Sequence, residues 1–206
     1  IACGKCFLVC PQNARNIHSD LPLVKRFLKN KKVVVSIAPS YAGIYSEPDR
    51  LVGALYDIGF ESVEETAVAA EMVTILYNRH IETSDSKNLI TSCCPSVNMM
   101  INKFYPELSE YLMPIDSPMI LHSKHLKMKH GKDAFVVFLG PCISKKCEAT
   151  GYQRGGVIDA VISFEELDSL LRELNIDIDS CEPRKPEIRA GRLGSKYPGE
   201  GGILPG

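Results

Sequence analysis

The sequence predicts an α/β protein in which helices flank a mostly parallel sheet. Two runs of apolar and β-branched residues, 33–40 and 134–140, have the composition of strands that are buried on both faces of such a sheet. Segments with apolar residues at helical spacing lie between these runs and after them. This alternation is typical of βα units, whose strands lie parallel in one sheet.

The bulk composition is that of a globular protein with a sizeable core. The chain has 206 residues, of which 45% are hydrophobic and 24% are charged. Its formal net charge of -1 argues against nucleic-acid binding, which normally requires an excess of Lys and Arg. No apolar run is long enough to span a bilayer, and the cysteine-rich N-terminus does not resemble a signal peptide. We therefore expect a cytoplasmic protein with no membrane span and no nucleic-acid partner.

Three of the eight cysteines lie within the first ten residues. Residues 3–11 read C-G-K-C-F-L-V-C-P, the last three quarters of the C-x2-C-x2-C-x3-C-P run that binds [4Fe-4S] clusters in bacterial ferredoxins. We therefore predict that Cys3, Cys6 and Cys10 are metal ligands and that residues 1–15 are part of a ferredoxin-like segment. A zinc knuckle or a structural cysteine cluster is the alternative.

The predicted α/β domain comprises residues 16–206, and its first half contains three helices and two strands. The first helix has a basic last turn, which suits a helix C-terminus. Pro48 in the first turn and Gly59 after the last apolar residue mark the ends of the second helix. In chain order, these elements are a helix within 19–32, the strand at 33–40, a helix between Ser46 and Gly59, a helix at 66–79 and a short strand at 88–91.

The second half of the domain is predicted from three serines that can cap helices. Ser96 and Ser117 each precede a helical pattern. The predicted strand at 159–164 passes through Ser163 into a helix, and Ser163 can form a capping box there with Glu166. Histidines on one face of the Ser117 helix have metal-ligand spacing, but neighbouring lysines favour a solvated face. The polar, Gly- and Pro-rich tail beyond residue 178 is expected to be a loop that need not pack.

Three of the predicted strands are followed by residues with potential chemistry. Ligands bind outside the carboxyl ends of the strands in open α/β sheets, so we expect these residues to share one edge. Thiolates in such a place are soft ligands for an iron–sulfur cluster or zinc, whereas buried structural cysteines are the alternative. The residues are Ala38 and Pro39 at the C-terminal end of the first strand, Cys93 and Cys94 after the short strand, and Cys142 after the strand at 134–140.

Two lysines follow Cys142 in the chain. Lys145 and Lys146 would favour the thiolate form of a nearby cysteine and attract an anionic ligand or cluster. A solvated pair of lysines is the alternative interpretation.

These motifs together resemble a known family. TSCCPSV at 91–97 and GPCISKKCE at 140–148 are similar to two signatures of the large subunit of [FeFe] hydrogenases and their hydrogenase-like relatives, TSCCP-G/S-W and MPC-T-x-K-K-x-E. The upstream cysteine run and the strand ending in APS occur in the family's order. The resemblance therefore spans essentially the whole chain.

The resemblance implies an H-cluster, which combines a di-iron unit with a [4Fe-4S] cluster, and ferredoxin-type [4Fe-4S] clusters that supply electrons to it. Of the residues that match family positions, some would hold the H-cluster and others would transfer protons. The resemblance assigns Cys94 and Cys142 as cluster ligands, Cys93 as the proton-shuttling thiol, Lys145 as the hydrogen-bond donor to the di-iron unit, Glu148 as the acidic group of the proton path, and Ala38 and Pro39 as residues that line the cluster.

The implied parent protein is an anaerobic oxidoreductase that interconverts protons and H2, or senses H2, with ferredoxin or another electron carrier as partner. Val97 stands where many catalytic members have Trp, and Gly140 stands where they have Met, which favours a divergent or sensory member. The third signature, ACPGGC, does not occur before Gly206, so we expect the fragment itself to be inactive. A non-catalytic iron–sulfur assembly, scaffold or electron-transfer protein is the alternative, and a plain zinc protein is a third.

Overall fold

The computed structural model describes residues 1–86, 88–153, 156–191 and 194, and within them one sheet of four strands is formed. In chain order, the strands are β1 (Val33–Ile37), β2 (Ser62–Glu65), β3 (Phe135–Leu139) and β4 (Ala160–Ile162). They lie in the order β2-β1-β3-β4, and each neighbouring pair is parallel. The predicted α/β class with a parallel sheet and flanking helices is confirmed.

The described helices connect the strands and cover both faces of the sheet. None of them is long and apolar enough to cross a membrane. In chain order, the helices are α1 (Lys5–Leu8), α2 (Leu21–Leu28), α3 (Tyr41–Ile44), α4 (Pro48–Ile58), α5 (Ala67–Thr83), α6 (Pro95–Phe104), α7 (Pro118–His130), α8 (Ser144–Gln153) and α9 (Phe164–Glu173), with 3-10 turns at Pro106–Tyr111 and Ile178–Ser180.

Every residue of the central strands β1 and β3 is buried, which explains their continuous apolar sequences. Alternate side chains point to opposite faces. Val33, Val35 and Ile37 pack with α2, α4 and α9, whereas Val34 packs with Leu126 of α7. Each fully buried aliphatic side chain stabilises the fold by about 1.5–3 kcal/mol relative to an exposed one. The apolar contacts on its two faces therefore hold the sheet between the helices.

Helix caps are predicted correctly at two positions and wrongly at a third. Ser117 caps α7, and Ser163 forms the predicted capping box with Glu166 at the start of α9. The helix after the double cysteine begins earlier than predicted, because Cys94 is its N-cap residue and Pro95 its first residue. Proline fits that position since the first helical N–H has no acceptor within the helix.

The predicted strand at 88–91 is wrong. Ile90 forms only an isolated bridge with Leu112, through hydrogen bonds to the backbone of Tyr111 and Met113. The open edge of β2 pairs instead with the tail, where the Glu187 N–H donates to Val63. The double cysteine therefore follows a loop outside the four-stranded sheet.

Strand β2 was missed, and the packing of the tail was underestimated. The sequence of β2, SVEE, is polar, yet Ser62 and Glu64 are buried in a hydrogen-bond network and not exposed on a surface.

The tail is irregular, as predicted, but it packs on α4, where a side chain on Gly53 would collide with the carbonyl of Glu182. Residues 192–193 and 195–206 of the predicted loop lie outside the described residues.

Candidate metal centre

A pocket of about 1000 Å³ brings together three cysteines from distant parts of the chain. Cys3 comes from the N-terminal segment, Cys94 from the start of α6 and Cys142 from the loop between β3 and α8. We call this the cysteine pocket. Phe7 and Leu8 contribute apolar side chains to its wall. A wall of this kind, with sulfur donors converging on it, suits a soft metal centre.

The position of Cys94 follows from its role as the N-cap of α6. Its carbonyl accepts the first intrahelical hydrogen bond from Asn98, at 3.1 Å, and its N–H donates to Ser92 Oγ at 3.2 Å. The positive end of the helix dipole favours a negative charge here. The local sequence therefore places the Cys94 thiol at the N-terminus of α6, where it lines the cysteine pocket.

Cys142 lies at the carboxyl end of β3, as predicted. Its Sγ is 3.0 Å from the hydroxyl of Ser144, the first residue of α8. Ser144 is buried and also lines the cysteine pocket, whereas Cys142 is exposed. Sequence reasoning missed Ser144, although its place two residues after a candidate ligand could have indicated a hydrogen-bond partner.

Lys145 joins the two cysteine signatures. Its ammonium donates to the carbonyl oxygen of Cys93 at 2.9 Å and to the carboxylate of Glu148 at 2.8 Å. The side chains of Lys145 and Glu148 are only 13% and 17% exposed. This three-residue contact, which we call the lysine tether, holds the loop before α6 against α8.

The alternative of a solvated lysine pair is wrong. Lys146 is as buried as Lys145 and pairs with Glu166 at 2.8 Å, while it also donates to the carbonyl of Val161 at 2.7 Å. Burial alone would raise the pKa of Glu166, but the hydrogen bonds from Lys146, Ser19 and the Ser163 backbone together outweigh burial and lower the pKa. Each lysine is therefore matched by one carboxylate beside the cysteine pocket.

Ala38 and Pro39 lie at the carboxyl end of β1, but among the described residues neither side chain lines the cysteine pocket. Ala38 is buried, and its N–H donates to the carbonyl of Leu139 at 2.8 Å. A Cβ added at Gly140 would lie 2.9 Å from Ala38 and 2.8 Å from the Phe138 ring. Glycine at this position therefore allows the ends of β1 and β3 to approach closely.

The N-terminal segment packs against the loop that carries Cys142. Gly4 has a left-handed conformation, with φ of 83°, and a side chain there would collide with Ile143. Cys6 is exposed and does not line the pocket, and the Sγ of Cys10 accepts from the Ala14 N–H at 3.4 Å. Of the three N-terminal cysteines, only Cys3 reaches the cysteine pocket.

A second group of ionisable side chains surrounds Glu64 of β2, on the face of the sheet that α7 covers. Glu64 Oε1 accepts from Lys129 at 2.8 Å and from His130 at 3.1 Å. Glu64, His130 and Glu187 place ligand atoms within 4.8 Å of one another. Lys129 also donates to Glu187, at 2.8 Å, and thereby already supplies a cation to both carboxylates, so we interpret the group as an ion-pair network.

The buried member of this network on α7 is His122, which is 1% exposed, so the predicted solvated face is wrong. His122 Nδ1 is 2.7 Å from Ser36 Oγ, and its Nε2 is 3.5 Å from Glu64 Oε2, too long for a well-formed hydrogen bond. Burial lowers the pKa of His122. Burial alone would raise the pKa of Glu64, but the neighbouring His122, Lys129 and His130 outweigh it and hold the pKa well below its usual value.

The sequence matches a family model described as the iron-only hydrogenase large subunit, C-terminal domain, over residues 31–205. Iron hydrogenase 1 of Clostridium pasteurianum is 29% identical over 222 residues, which cover 94% of this chain and 38% of that protein. The periplasmic [Fe] hydrogenase large subunit of Nitratidesulfovibrio vulgaris is 29% identical over 203 residues, which cover 84% of this chain and 48% of that protein. The chain therefore spans less than half the length of these relatives.

Two further comparisons extend the picture. A cytosolic Fe-S cluster assembly factor of Saccharomyces cerevisiae is 30% identical over 104 residues, which cover 47% of this chain and 21% of that protein. A solved [FeFe]-hydrogenase structure from Chlamydomonas reinhardtii superposes with a TM-score of 0.66 at 22% identity, covering 85% of this chain and 53% of the other. This likeness shows a shared fold.

Proposed function

Because the chain belongs to the iron-only hydrogenase large-subunit family, we propose that its cysteine pocket holds an iron–sulfur cluster of a hydrogen-converting or hydrogen-sensing centre. The observation that carries this proposal is the meeting of Cys94 and Cys142 in one pocket. These cysteines are 48 positions apart in the sequence (142 − 94) and belong to the two signature stretches. An apolar core would not require both thiols at the same wall.

The residues present fit such a group. Thiolates are the protein ligands of [4Fe-4S] clusters, and the pocket volume of about 1000 Å³ leaves room for an inorganic cluster. We assign Cys94 and Cys142 as ligands. When bound, an H-cluster supplies one-electron transfer and the interconversion of protons and H2.

The chain's own residues around the pocket hold and orient groups for that chemistry. Cys93, which is partly buried beside the ligand Cys94, is assigned as the thiol that carries a proton at Sγ. Lys145 fixes the Cys93 backbone and places a positive charge near the pocket, while Glu148 holds the lysine in that place. In this arrangement Glu148 orients Lys145, in addition to any role in proton transfer.

The N-terminal segment is proposed as the route for electrons. Cys3 lines the cysteine pocket, and Gly4 packs on Ile143 beside Cys142. A ferredoxin-type cluster held by Cys3 and Cys6 with further ligands would therefore lie next to the proposed centre. The partner is an electron carrier such as ferredoxin.

We expect the 206 residues alone to be inactive in hydrogen turnover. Cys94 and Cys142 are half of the four thiolates that usually hold a [4Fe-4S] cluster. Cys147 is exposed and does not line the pocket, and Cys181 is buried with its Sγ 3.3 Å from the carbonyl of Asp177. Neither supplies a ligand to the cysteine pocket as described.

The test is the metal content of protein prepared without oxygen and reconstituted with iron and sulfide. We expect the unmodified protein to bind more iron than a variant that combines Cys94→Ser with Cys142→Ser, with little zinc in either. Cys147→Ser is the matched control, because this thiol lies on α8 outside the pocket, and its iron content should be unchanged. Equal iron in all three proteins, or zinc in place of iron, would refute the proposed centre.

A second candidate is an iron–sulfur assembly factor, favoured by the 30% identity to the yeast protein over 104 residues. Such a protein would pass its cluster to an acceptor. Radioactive iron in the reconstituted protein should then move to a ferredoxin that lacks its cluster. A hydrogenase-type centre should retain the label under the same conditions, so the transfer experiment separates the two functions.

A further inference from the structure

A serine hydroxyl lies against the sulfur of Cys142, one of the two proposed ligands. The Oγ atom of Ser144 is 3.0 Å from the Sγ atom of Cys142. Ser144 is the first residue of α8, and Cys142 belongs to the loop that leads into this helix from β3. The chain's entry into α8 therefore places the hydroxyl beside the thiol, and this contact does not depend on a bound cluster.

The Ser144 hydroxyl is shielded from water. Ser144 is 1% exposed, whereas Cys142 is an exposed residue, and both line the cysteine pocket. Among the contacts of the described residues, the Cys142 sulfur is the hydrogen-bond partner of this hydroxyl. A buried hydroxyl that lost its partner could not replace the lost hydrogen bond with one to water. Burial therefore holds the hydroxyl toward the sulfur.

The direction of this hydrogen bond is determined once the sulfur binds a metal. In the metal-free protein either atom can be the donor, because a thiol and a hydroxyl each carry a proton. A cysteine binds a metal as the thiolate, which has no proton to donate. In the loaded site the Ser144 hydroxyl is therefore the donor and the Cys142 sulfur is the acceptor. Hydrogen bonds to the sulfurs are among the factors that set the reduction potential of an iron–sulfur cluster.

The charged side chains that line the same pocket do not replace this hydrogen bond. Lys146 is paired with Glu166 at 2.8 Å, and Glu165 is exposed to solvent. The Ser144 hydroxyl is neutral, so its removal changes no charge in the pocket. A change in reduction potential after its removal would therefore report the hydrogen bond itself.

We propose that Ser144 is a positioning residue for Cys142: its hydroxyl orients the sulfur as a ligand and donates the hydrogen bond that raises the reduction potential of the cluster. The donor withdraws electron density from the sulfur and so favours the reduced, more negative cluster. The redox meaning of this contact rests on the proposed function, because only there does Cys142 hold a cluster. A serine that served only to begin α8 would need its backbone but not its hydroxyl.

Ser144→Ala tests the proposal, because it keeps the start of the helix and removes only the hydroxyl. The protein reconstituted with iron and sulfide is reduced stepwise in an electrochemical cell. The signal of the pocket cluster is the one that is lost when Cys94→Ser and Cys142→Ser are combined. In Ser144→Ala we expect its reduction equilibrium to fall roughly 2- to 10-fold, which is about 20–60 mV toward lower potential at about 59 mV per tenfold change.

A second measurement needs no cluster. In the reduced, metal-free protein, the difference infrared spectrum between the unmodified chain and Cys142→Ala isolates the S–H stretching band of Cys142. This band should shift in Ser144→Ala, because the thiol has lost its partner. Ser123→Ala is the matched control, since Ser123 is also fully buried and its hydroxyl donates to the carbonyl of Met119 within α7, at 2.8 Å and outside the pocket. It should change neither the potential nor the S–H band.

The possible results separate this inference from the proposed function. An unchanged or higher potential in Ser144→Ala, with iron bound as in the unmodified protein, would overturn the inference and leave the proposed function intact. An unshifted S–H band would exclude the contact between Ser144 and Cys142. A shifted band in a protein that forms no cluster dependent on Cys94 and Cys142 would refute the proposed function, and with it the redox role of Ser144, while the contact itself would stand.

Discussion

Lys145→Met should destabilise the protein more than the loss of an ordinary surface charge. The substitution keeps much of the aliphatic stem but removes the ammonium that bonds Cys93 at 2.9 Å and Glu148 at 2.8 Å. A hydrogen bond to a charged group contributes about 1.5–3 kcal/mol, and the loss of one partner of a buried pair costs about 3–5 kcal/mol. Since the Glu148 side chain is 17% exposed, it regains some hydration, and we expect about 2–3 kcal/mol.

The assay is urea unfolding of the reduced, metal-free protein. Lys124→Met is the control, because Lys124 pairs with Asp116 at side-chain exposures of 45% and 26%, where an ion pair contributes about 0–1 kcal/mol. A double-mutant cycle that adds Glu148→Ala should give a coupling energy of about 1–2 kcal/mol. A Lys145→Met effect no larger than the control, with no coupling to Glu148, would refute the lysine tether.

Three more outcomes follow from the described contacts. Glu64 and His122 have folded-state pKa values below the ordinary values of 4.5 and 6.5, so the unfolded chain binds more protons at acidic pH than the folded protein does. Stability should therefore be full above about pH 6.5 and decrease as the pH falls through 6.5 and then 4.5. A urea midpoint that does not change with pH would contradict this prediction. Gly140→Ala should cost about 1–3 kcal/mol in urea unfolding, because the new Cβ would lie 2.8 Å from the Phe138 ring; an unchanged midpoint would show that the strand ends can move apart. Gly53→Ala should displace the tail from α4 and speed proteolysis there, and an unaltered cleavage rate would exclude tight packing of the tail.

The parts of the fold that could be predicted are those in which local pattern and tertiary environment agree. Strands β1 and β3 are apolar throughout because both of their faces are covered, so their sequences show their positions. Ser117 and Ser163 cap helices by local hydrogen bonds, which depend on only a few neighbouring residues.

Strand β2 could not be predicted because tertiary contacts determine it. Its buried Glu64 is stabilised by Lys129 and His130, and Lys129 also donates to the tail residue Glu187; all three are distant from Glu64 in sequence. The segment 88–91 has the composition of a strand, but the tail occupies the open edge of β2. Which segment pairs with the open edge of a sheet depends on residues that are distant in sequence, so the pattern of one segment does not predict it.

Only part of the candidate site could be predicted, because the sequence shows which residues carry chemistry but not how distant elements pack around them. The cysteine signatures indicate which residues carry chemistry, and Cys94 and Cys142 do meet in one pocket. Their surroundings are not encoded locally: the hydrogen bond from the Lys145 ammonium to the Cys93 carbonyl depends on how α8 packs against the loop before α6. The roles of Cys93 and Glu148 in proton transfer, and of Lys145 as the hydrogen-bond donor to the di-iron unit, are proposals.

The most direct test of the shared cluster is differential alkylation followed by mass spectrometry, before and after anaerobic reconstitution. The proposed centre predicts that Cys94 and Cys142 become protected together when iron and sulfide are added. Cys147, which is exposed and outside the pocket, should be alkylated equally in both states. Protection confined to the N-terminal cysteines, with Cys94 and Cys142 still reactive in the iron-loaded protein, would contradict the account.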